Sequence, residues 1–340
     1  MTVSKPRILY NLLGDENKAS SRVRGWWVGA EFESRGYIVT YNISNSARDA
    51  LKLVVAIFFH DVVVFQKTYG RFDPWLVRFA RMLGRKCYFD IDDAPSRIGN
   101  QITTRNAQKM MHGCNMVWAG SQALKDYASP YASATVLIPS AIKLDNYETN
   151  TEPSPLTVAP PCLGWVGNGA HYADDLITHL ATPLADVASN RRIKFRIVGA
   201  CGVPALYDTF GAIEGLEIDF IDTIEWSSSK AVSDAIAPFD IGLYPLSSDS
   251  FNDFKCGFKA LEYMALGIPV IASDVAANHS ILVHEHTGFL VEGDDAWIAA
   301  ILTLTNDKGQ CHRMGKQGRE RVERLFSVSH VADLLEDIIL

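Results

Sequence analysis

Residues Lys255–Ser273 read KCGFKALEYMALGIPVIAS and contain the end of a loop, a helix and a strand in immediate succession. The helical pattern runs from Phe258 to Leu266, and Gly267 stands where a left-handed residue commonly closes a helix. The apolar run Pro269–Ala272 follows at once, with little of the polar alternation of a half-exposed strand. A helix that leads directly into a buried strand is typical of a parallel α/β sheet.

The same alternation of strand and helix patterns extends over the rest of the chain. Short runs rich in Val and Ile predict further strands, and helical patterns such as Trp75–Leu83 lie between them. Strands joined by helices imply parallel sheets with right-handed crossovers. The predicted strands are Arg7–Leu13, Asp61–Phe65, Lys86–Asp90, Met116–Ala119 and Thr135–Ile138 in the first half, and Cys162–Val166, Lys194–Val198, Leu216–Ile221, Ile241–Tyr244, Pro269–Ala272 and Gly288–Val291 in the second.

A proline-rich segment divides this pattern into two halves. Tyr147–Pro161 reads YETNTEPSPLTVAPP, and its four prolines predict an extended linker with little packing. A chain of 340 residues is long enough for two such domains. We therefore expect one Rossmann-like domain in residues 1–150 and a second in residues 160–326. A C-terminal helix in residues 327–340 is expected to pack back on either domain.

The composition is that of a globular protein with an uneven charge. Hydrophobic residues make up 48% of the chain and charged residues 21%, which argues against disorder. No apolar run reaches the roughly 20 residues that span a bilayer, and the N-terminus lacks the pattern of a signal peptide. A cytoplasmic protein is expected.

The charge differs in sign between the two halves. Residues 1–150 carry 19 basic and 13 acidic side chains, against 13 and 26 in residues 151–340. The basic half suits an anionic acceptor or peripheral contact with the inner face of a membrane, with ordinary surface variation as the alternative. No dense basic cluster or nucleic-acid-binding signature is present, so no nucleic-acid partner is expected. The six cysteines include no CxxC pair, which argues against a zinc site.

The start of the helix within Lys255–Ser273 suits an anionic ligand. Gly257 leads into a helix N-terminus, whose unpaired N–H groups and partial positive charge favour phosphate. Lys255 and Lys259 are four residues apart and can share a face. Glu262 follows, and a carboxylate can accept two hydroxyl hydrogen bonds, as a ribose would supply. A solvated amphipathic helix with a Lys–Glu pair is the alternative.

A glycine-rich turn follows the first predicted strand of the second half. Gly164–Gly169 reads GWVGNG, and its glycines let the backbone approach a phosphate or a sugar, although such turns are common after strands. Gly167 and Asn168 are its candidate ligand-binding residues. After a later strand, Trp226 is placed either to pack on a nucleobase or to fill ordinary protein packing.

Three carboxylates stand close together at the end of a first-half strand. Asp90, Asp92 and Asp93 repel one another unless something is bound or one is protonated. Their spacing permits a divalent metal. Orientation of substrate hydroxyls and capping of the next helix are the alternatives.

The loop after the first strand of the chain carries two arginines. Gly14–Arg24 reads GDENKASSRVR, and Arg22 and Arg24 can hold a phosphate bidentately. A mobile, solvated loop is the alternative. Ser121, in the sequence AGS, ends another first-half strand and is expected near the same edge of the sheet.

Residues 260–282, ALEYMALGIPVIASDVAANHSIL, resemble the donor-binding signature of the retaining glycosyltransferase family 4 (glycosyl transferases group 1), in a variant branch with the motif Lys-x-x-x-Lys-x-x-Glu-Tyr. The resemblance covers most of the chain. It implies the GT-B fold, in which two Rossmann-like domains have parallel sheets facing a central cleft. Residues 1–150 would form the acceptor-side domain and residues 160–326 the nucleotide-sugar-binding domain. It also implies transfer of a sugar from a nucleoside diphosphate sugar to an acceptor hydroxyl, with retention of configuration. The expected acceptor is a glycan or lipid-linked precursor of a surface glycan or polysaccharide.

The resemblance also assigns roles to residues of the donor motif. Glu262 falls on the second glutamate of the signature, which holds the ribose hydroxyls. The first glutamate falls on Phe254, so Asp253 or Asp249 in the preceding loop is the expected substitute. Enzymes of this fold generally need no bound metal, so no metal and no cofactor are expected.

The family's two diphosphate-binding cations are replaced in this chain. Asn168 and Asp174 occupy their positions, and Lys255 and Lys259 are the expected substitutes. The resulting candidates are catalytic Asp92, Asp93 and Asp253; donor-binding Glu262, Lys255, Lys259, Gly167, Asn168, Trp226 and Gly257; and acceptor-side Gly14, Arg22, Arg24 and Ser121.

Two other functions suit the same architecture. One is a nucleotide-sugar epimerase, which would bind the donor and need no acceptor. The other is a catalytically silent nucleotide-sugar-binding protein, which the missing glutamate and arginine favour. Turnover of a bound nucleotide sugar separates the silent protein from both enzymes. A dinucleotide oxidoreductase fits less well, because GWVGNG lacks the full G-x-G-x-x-G spacing.

Overall fold

A computed structural model describes residues 5–43, 46–95, 101–148, 159–248 and 252–340. The chain forms two compact units. The first contains the residues up to Lys143, the segment Asp253–Cys256 and the C-terminal segment Phe326–Leu340. The second contains Leu144–Asn252 and Gly257–Leu325.

In the described part of the first unit, six parallel strands form one sheet in the order β2-β1-β3-β4-β5-β6. The chain moves from β1 to one neighbour and then crosses to the other side, so the sheet has a topological switch point between β1 and β3. The strands are β1 Ile8–Leu12, β2 Val39–Ile43, β3 Val62–Gln66, β4 Lys86–Ile91, β5 Met116–Ala119 and β6 Thr135–Leu137.

Successive strand residues point to opposite faces of this sheet. Both faces carry apolar side chains, and helices cover both. Leu9 and Val63 pack into one apolar cluster, whereas Ile8 and Val62 pack into another on the opposite face. A π-helical turn, Arg22–Trp26, joins the first two helices. The helices are α1 Ala19–Ser21, α2 Trp27–Ser34, α3 Ala47–Ile57, α4 Asp73–Met82, α5 Gln101–Gly113 and α6 Gln122–Ala128, together with the C-terminal helix Val328–Ile339.

The C-terminal helix packs against α2 of the first unit. Arg35 donates hydrogen bonds from its guanidinium to Asp333, Glu336 and the Ser329 carbonyl at 2.7–2.9 Å. Tyr37 adds a hydroxyl hydrogen bond of 2.5 Å to Glu336. The last helix is therefore held to the first unit by apolar packing and by a cluster of charged contacts.

In the described part of the second unit, another six parallel strands form a sheet in the order β12-β11-β10-β7-β8-β9. Its switch point lies between β7 and β10. The strands are β7 Cys162–Val166, β8 Ile193–Val198, β9 Leu216–Ile221, β10 Ile241–Tyr244, β11 Val270–Ser273 and β12 Gly288–Val291. The helices are α7 Gly169–Asn190, α8 Pro204–Gly211, α9 Ser229–Ile236, α10 Phe258–Ala265, α11 Ala276–His279, α12 Asp294–Asn306 and α13 Lys308–Leu325.

The prediction of two parallel α/β sheets is confirmed. Each predicted strand is present with ends within one residue of the prediction. The strand β2, Val39–Ile43, was not predicted, because it lies at the sheet edge and four of its five residues are only half buried. Its polar and apolar residues therefore give no continuous apolar run.

The predicted linker is wrong at its first residue. Tyr147 is 1% exposed, and its main-chain carbonyl accepts a hydrogen bond of 2.9 Å from Arg319. An aromatic ring at the start of a proline-rich segment can pack even where the composition suggests a solvated chain. Residues 149–158 of this segment lie outside the described residues.

None of the helices in the described ranges has both the length and the apolar character needed to cross a bilayer.

Candidate functional site

The switch point of the second unit is the expected binding edge of its sheet. In open parallel sheets, ligands bind beyond the carboxyl ends of strands where the chain order reverses. β7 and β10 are neighbours there, and their paired residues include Gly164 with Gly242. The Gly167 turn follows β7 directly, so the sequence-predicted phosphate turn lies at this edge.

Lys259, on the first turn of α10, reaches the same edge. Its Nζ lies 3.9 Å from the centre of the Tyr172 ring, 5.7 Å from that of Trp165 and 5.6 Å from that of Tyr244. Trp165 belongs to β7 and Tyr244 ends β10, so the ammonium group lies beside a side chain from each of the two switch-point strands. Aromatic faces stabilise a cation without neutralising its charge.

The glycine turn and the lysine are in close contact. A Cβ added to Gly167 would fall 2.5 Å from Cε of Lys259. A Cβ added to Gly199, in the loop after β8, would overlap the carbonyl oxygen of Gly167 and would lie 2.8 Å from the Trp226 ring. The loops after β7 and β8 therefore pack backbone to backbone, and Trp226, 38% exposed, lies beside them.

Asn168 caps the helix that follows the turn. Its side-chain oxygen accepts a hydrogen bond of 3.0 Å from the Ala170 amide at the start of α7. Both Asn168 and Asp174 are exposed. Asn168 thus directs the N-terminus of α7 at the carboxyl edge of the sheet, while its contact with a donor stays a prediction.

Glu262 lies one turn after Lys259 on α10 and is 8% exposed. Its Oε1 accepts a hydrogen bond of 2.9 Å from the hydroxyl of Tyr147. Arg319 also donates to the Ala265 carbonyl, so it joins the end of α10 to the Tyr147 main chain. Tyr147 is a site residue that the sequence did not predict, and its position in a proline-rich segment gave no signal for it.

The N-terminus of α10 requires a glycine. Gly257 has a φ of 58°, in the left-handed region, and a Cβ there would overlap Cδ1 of Ile281. Asp253 and Lys255 belong to the four-residue segment that clusters with the first unit, whereas Gly257 and Lys259 belong to the second. A joint role of the two lysines at one diphosphate stays a prediction.

In the first unit, cations neutralise the predicted carboxylate cluster. Arg24 forms a bidentate ion pair with Asp90, at 2.6 and 2.8 Å, and both side chains are buried. Lys67 contacts Asp92 at 2.9 Å and also pairs with Asp93. Although burial opposes the charge of Lys67, these two carboxylates raise the pKa of its ammonium group above its usual value.

These ion pairs change the interpretation of Arg24 and of the aspartate cluster. The guanidinium of Arg24 also donates to the Ile138 carbonyl at 3.0 Å, so it serves the interior of the unit and a phosphate would have to compete with Asp90. Lys67, which follows β3 directly, was not predicted as a partner. Because β3 and β4 are neighbouring parallel strands, their carboxyl ends bring Lys67 to the aspartates.

The switch point of the first unit carries a buried polar network. Ser21 donates a hydrogen bond of 3.0 Å to Gln66 at the end of β3 and accepts one of 3.1 Å from the Gly14 amide. Arg22 is 8% exposed and donates to the Glu16 carbonyl at 3.1 Å. The solvated-loop alternative is wrong for Ser21–Arg24, because these residues form a buried helical turn.

Ser121 and Phe254 are in contact within the first unit. The Ser121 hydroxyl caps α6 by accepting from the Leu124 amide at 3.3 Å, and it donates to the Phe254 carbonyl at 3.3 Å. The Phe254 ring packs edge-on against Tyr127 at 5.8 Å. Phe254, at the position where the resemblance expects the first glutamate, is therefore an apolar packing residue. Asp249, the other suggested substitute, lies outside the described residues.

Within the described ranges, His, Cys, Asp and Glu side chains form no group of three or more that is arranged to hold a metal ion.

Comparisons with solved structures identify the fold as GT-B. Sucrose-phosphate synthase from Thermosynechococcus elongatus matches with a TM-score of 0.73 at 16% sequence identity, covering 98% of each chain. Anabaena HepE, solved in complex with UDP, matches with a TM-score of 0.74 at 14% identity, covering 98% of this chain and 99% of that one. The predicted fold class is thus confirmed.

Sequence comparison finds similarity to glycosyltransferases. Residues 160–307 match the model of the family described as glycosyl transferases group 1. The capsular polysaccharide biosynthesis glycosyltransferase CapM of Staphylococcus aureus is 34% identical over 114 residues, which is 32% of this chain and 29% of CapM. The D-inositol 3-phosphate glycosyltransferase of Gordonia bronchialis is 26% identical over 257 residues, which is 70% of this chain and 53% of that protein. The chain thus spans about half, or less, of the length of these relatives.

Proposed function

We propose that this protein transfers a sugar from a nucleoside diphosphate sugar to an acceptor hydroxyl during glycan biosynthesis. The observation that carries the proposal is the position of Lys259 beside the Trp165 ring of β7 and the Tyr244 ring of β10, in contact with the Gly167 turn. A cation, a glycine turn and a helix N-terminus meet there at the edge where parallel sheets bind ligands.

The diphosphate of the donor would lie against the Gly167 turn and Lys259. Its negative charge increases as the sugar leaves, so a fixed cation stabilises the transition state more than the bound donor. Lys255 would add a second positive charge. The Glu262 carboxylate, held by Tyr147, would accept hydrogen bonds from the ribose hydroxyls, and Trp226 would pack on the base.

The comparisons support this donor class and its use. HepE was solved with UDP and with UDP-glucose, and the matched relatives are named as glycosyltransferases. CapM is named for capsular polysaccharide biosynthesis, which supports a surface glycan or lipid-linked precursor as the acceptor. None of these names favours an epimerase or a silent binding protein.

The remaining roles extend the family resemblance. Retention of configuration at the anomeric carbon is expected, without a metal or other cofactor. Asp92, Asp93 and Asp253 are the candidates for orienting the reacting sugar. Gly14, Arg22, Arg24 and Ser121 are the acceptor-side candidates, with Arg24 acting through the Asp90 pair.

A ligand screen followed by a turnover assay tests the proposal. A donor that binds the native state raises the apparent melting temperature, so nucleoside diphosphate sugars are screened by thermal shift. The selected donor is then incubated with acceptor glycans and lipid-linked sugars, and the glycosylated product is followed by mass spectrometry and NMR, which reports the anomeric configuration. Binding without any product over a broad acceptor set would favour the silent protein, and acceptor-independent isomerisation would favour the epimerase.

A pair of substitutions tests the donor site itself. Glu262→Ala and Lys255→Ala are each expected to weaken nucleoside diphosphate binding in calorimetry. Lys230→Ala, an exposed lysine on α9, is the control. If neither substitution lowers the affinity more than the control does, the donor-site assignment is wrong.

A further inference from the structure

Two helices of the first unit present exposed faces that combine basic and apolar side chains. On α4, Trp75, Arg78 and Met82 share the outer face, and Trp75 and Met82 are 56% and 77% exposed. On α5, the outer face carries Ile102, Arg105, Lys109 and His112 at spacings of three and four residues, and Ile102 is 68% exposed.

An open groove of about 1100 Å³ lies along these helices. Its lining includes Arg78, Arg81, Met82, Arg105, Lys109 and His112. The sequence showed no dense basic cluster, because these residues are separated by up to 34 positions and come together only when α4 packs on α5. The folded first unit therefore does have a basic patch, which we call the α4–α5 face.

No carboxylate opposes this charge on either helix. The described helix α5 contains neither Asp nor Glu. The acid on α4, Asp73, is 8% exposed and accepts a hydrogen bond of 2.5 Å from the Gly70 amide. The α4–α5 face thus attracts anions, and the attraction extends about 10 Å into the solvent at ordinary ionic strength.

Apolar side chains continue from the basic groove along α4. Trp75 stacks on Phe79 with ring centres 5.4 Å apart, and Phe58 meets Phe79 edge-on at 5.5 Å. Phe58 and Phe72 are 50% and 68% exposed. Exposed aromatic groups that cluster in this way are uncommon on a protein with no partner.

We infer that the α4–α5 face docks on the surface of a membrane that contains anionic phospholipids. Arg and Lys on one strip bind lipid phosphates, while Trp75, Met82 and Ile102 enter the boundary between headgroups and acyl chains. A soluble polyanion such as nucleic acid would use the basic residues but would leave these apolar side chains in water. Membrane docking accounts for both, and it goes beyond sugar transfer without depending on it.

Sedimentation with lipid vesicles tests the inference. The full chain is mixed with vesicles of phosphatidylcholine alone or with 30% phosphatidylglycerol, in low and high salt. We expect binding to the anionic vesicles only, weakened by salt because the contact is electrostatic in part. Absence of binding to phosphatidylglycerol vesicles would overturn the inference.

Two double variants assign the binding to the face. Arg105→Glu with Lys109→Glu should lower the fraction bound at least tenfold, and Trp75→Ser with Met82→Ser should lower it at least fivefold. Arg313→Glu with Lys316→Glu, on the exposed side of α13, makes the same charge change elsewhere and should bind like the wild type. Circular dichroism of each variant checks that it is folded.

The two double variants also separate lipid from other polyanions. If Trp75→Ser with Met82→Ser binds vesicles as the wild type does, or if free heparin or DNA binds as tightly as the vesicles, the α4–α5 face is a general polyanion site and the membrane assignment is wrong. If Arg105→Glu with Lys109→Glu reduces binding no more than the control Arg313→Glu with Lys316→Glu does, the effect comes from the net charge of the protein, and the assignment to the α4–α5 face is wrong. A donor assay is not involved, so failure here leaves the proposed function untouched.

Discussion

The ammonium nitrogen of Lys259 lies 3.9 Å from the centre of the Tyr172 ring. Lys259 is on α10 and Tyr172 is on α7, the two helices whose N-termini approach the switch point of the second sheet. Lys259 also contacts the Gly167 turn, and an aromatic ring stabilises its ammonium group without neutralising the charge.

Removing this charge should weaken donor binding. Lys259→Met keeps the aliphatic stem and is expected to lower the affinity for a nucleoside diphosphate about tenfold or more, because a charge-assisted hydrogen bond contributes ~1.5–3 kcal/mol. Tyr172→Phe retains the ring and should bind the nucleoside diphosphate like the wild type. Tyr172→Leu should bind it two- to fivefold more weakly. Calorimetry measures all three. Wild-type affinity in Lys259→Met would exclude the lysine from the diphosphate site.

The hydrogen bond from Tyr147 to Glu262 should position the carboxylate. Tyr147→Phe removes only the hydroxyl, so we expect a loss of about 1 kcal/mol in unfolding free energy and a smaller loss of affinity than in Glu262→Ala. If the carboxylate binds a ribose, the wild type should bind a 2′-deoxynucleotide more weakly than the ribonucleotide. Glu262→Ala should bind the two nucleotides almost equally. Equal discrimination by both proteins would contradict the ribose assignment.

A side chain at position 199 should destabilise the protein, because the backbone of Gly199 lies very close to that of Gly167. Gly199 has a φ of 92°, and its Cβ would overlap the Gly167 carbonyl, whereas Gly202 has a φ of 63° but open space around it. Gly202→Ala should therefore cost about 1 kcal/mol for backbone strain alone. Gly199→Ala should cost about 3 kcal/mol, since overpacking adds to the strain. Urea unfolding compares the two, and equal losses would show that the loops separate freely.

Sequence patterns predicted the sheets well because both faces of their central strands are buried. Runs such as Val63–Phe65 and Val270–Ala272 have no polar alternation, and this is the signal of a parallel strand. The edge strand Val39–Ile43 lacks the signal, because among the described strands it has a neighbour on one side only. The helix of the donor motif was predicted to within one residue, since Gly257 and Gly267 mark its ends.

Side-chain partners were harder to predict than elements. The contact of Lys67 with Asp92 follows from strand order, which becomes known only when the sheet is assembled. The contact of Tyr147 with Glu262 joins residues 115 positions apart and has no local pattern. The replacement of the first motif glutamate by Phe254 was visible in the sequence, but its packing on Tyr127 was not.

Breaking the buried pair of Arg24 and Asp90 should strongly destabilise the first unit. Arg24→Met leaves a buried carboxylate without its partner, which costs about 3–5 kcal/mol. Adding Asp90→Asn removes the remaining charge and should recover part of the loss. Lys52→Met, on α3 of the same unit, breaks a surface pair with Asp49 and should cost less than about 1 kcal/mol. Hydrogen exchange of the β4 amides reports the stability of this unit, and a loss in Arg24→Met no larger than in Lys52→Met would contradict the prediction.

Docking of the C-terminal helix should weaken in acid through Glu336. The hydrogen bond from Tyr37 lowers the pKa of this carboxyl; burial opposes the effect, and Arg35 adds to it. A carboxylate whose pKa is lower in the folded state stabilises that state above its unfolded pKa, about 4.3, and the contribution disappears as the pH falls through the lower folded value. The melting temperature of Glu336→Gln should therefore lie below that of the wild type at pH 7, and the difference should shrink as the pH falls below about 4.3.

Asp337→Asn supplies the control for this pH dependence, because Asp337 is the neighbouring exposed acid on the same helix. It changes the net charge by the same amount without touching Tyr37 or Arg35. Its melting temperature should follow that of the wild type across the whole range. A difference in melting temperature between the wild type and Glu336→Gln that stays constant from pH 7 to pH 3 would contradict the prediction. It would show that the Glu336 side chain stabilises the helix by packing and not by its negative charge.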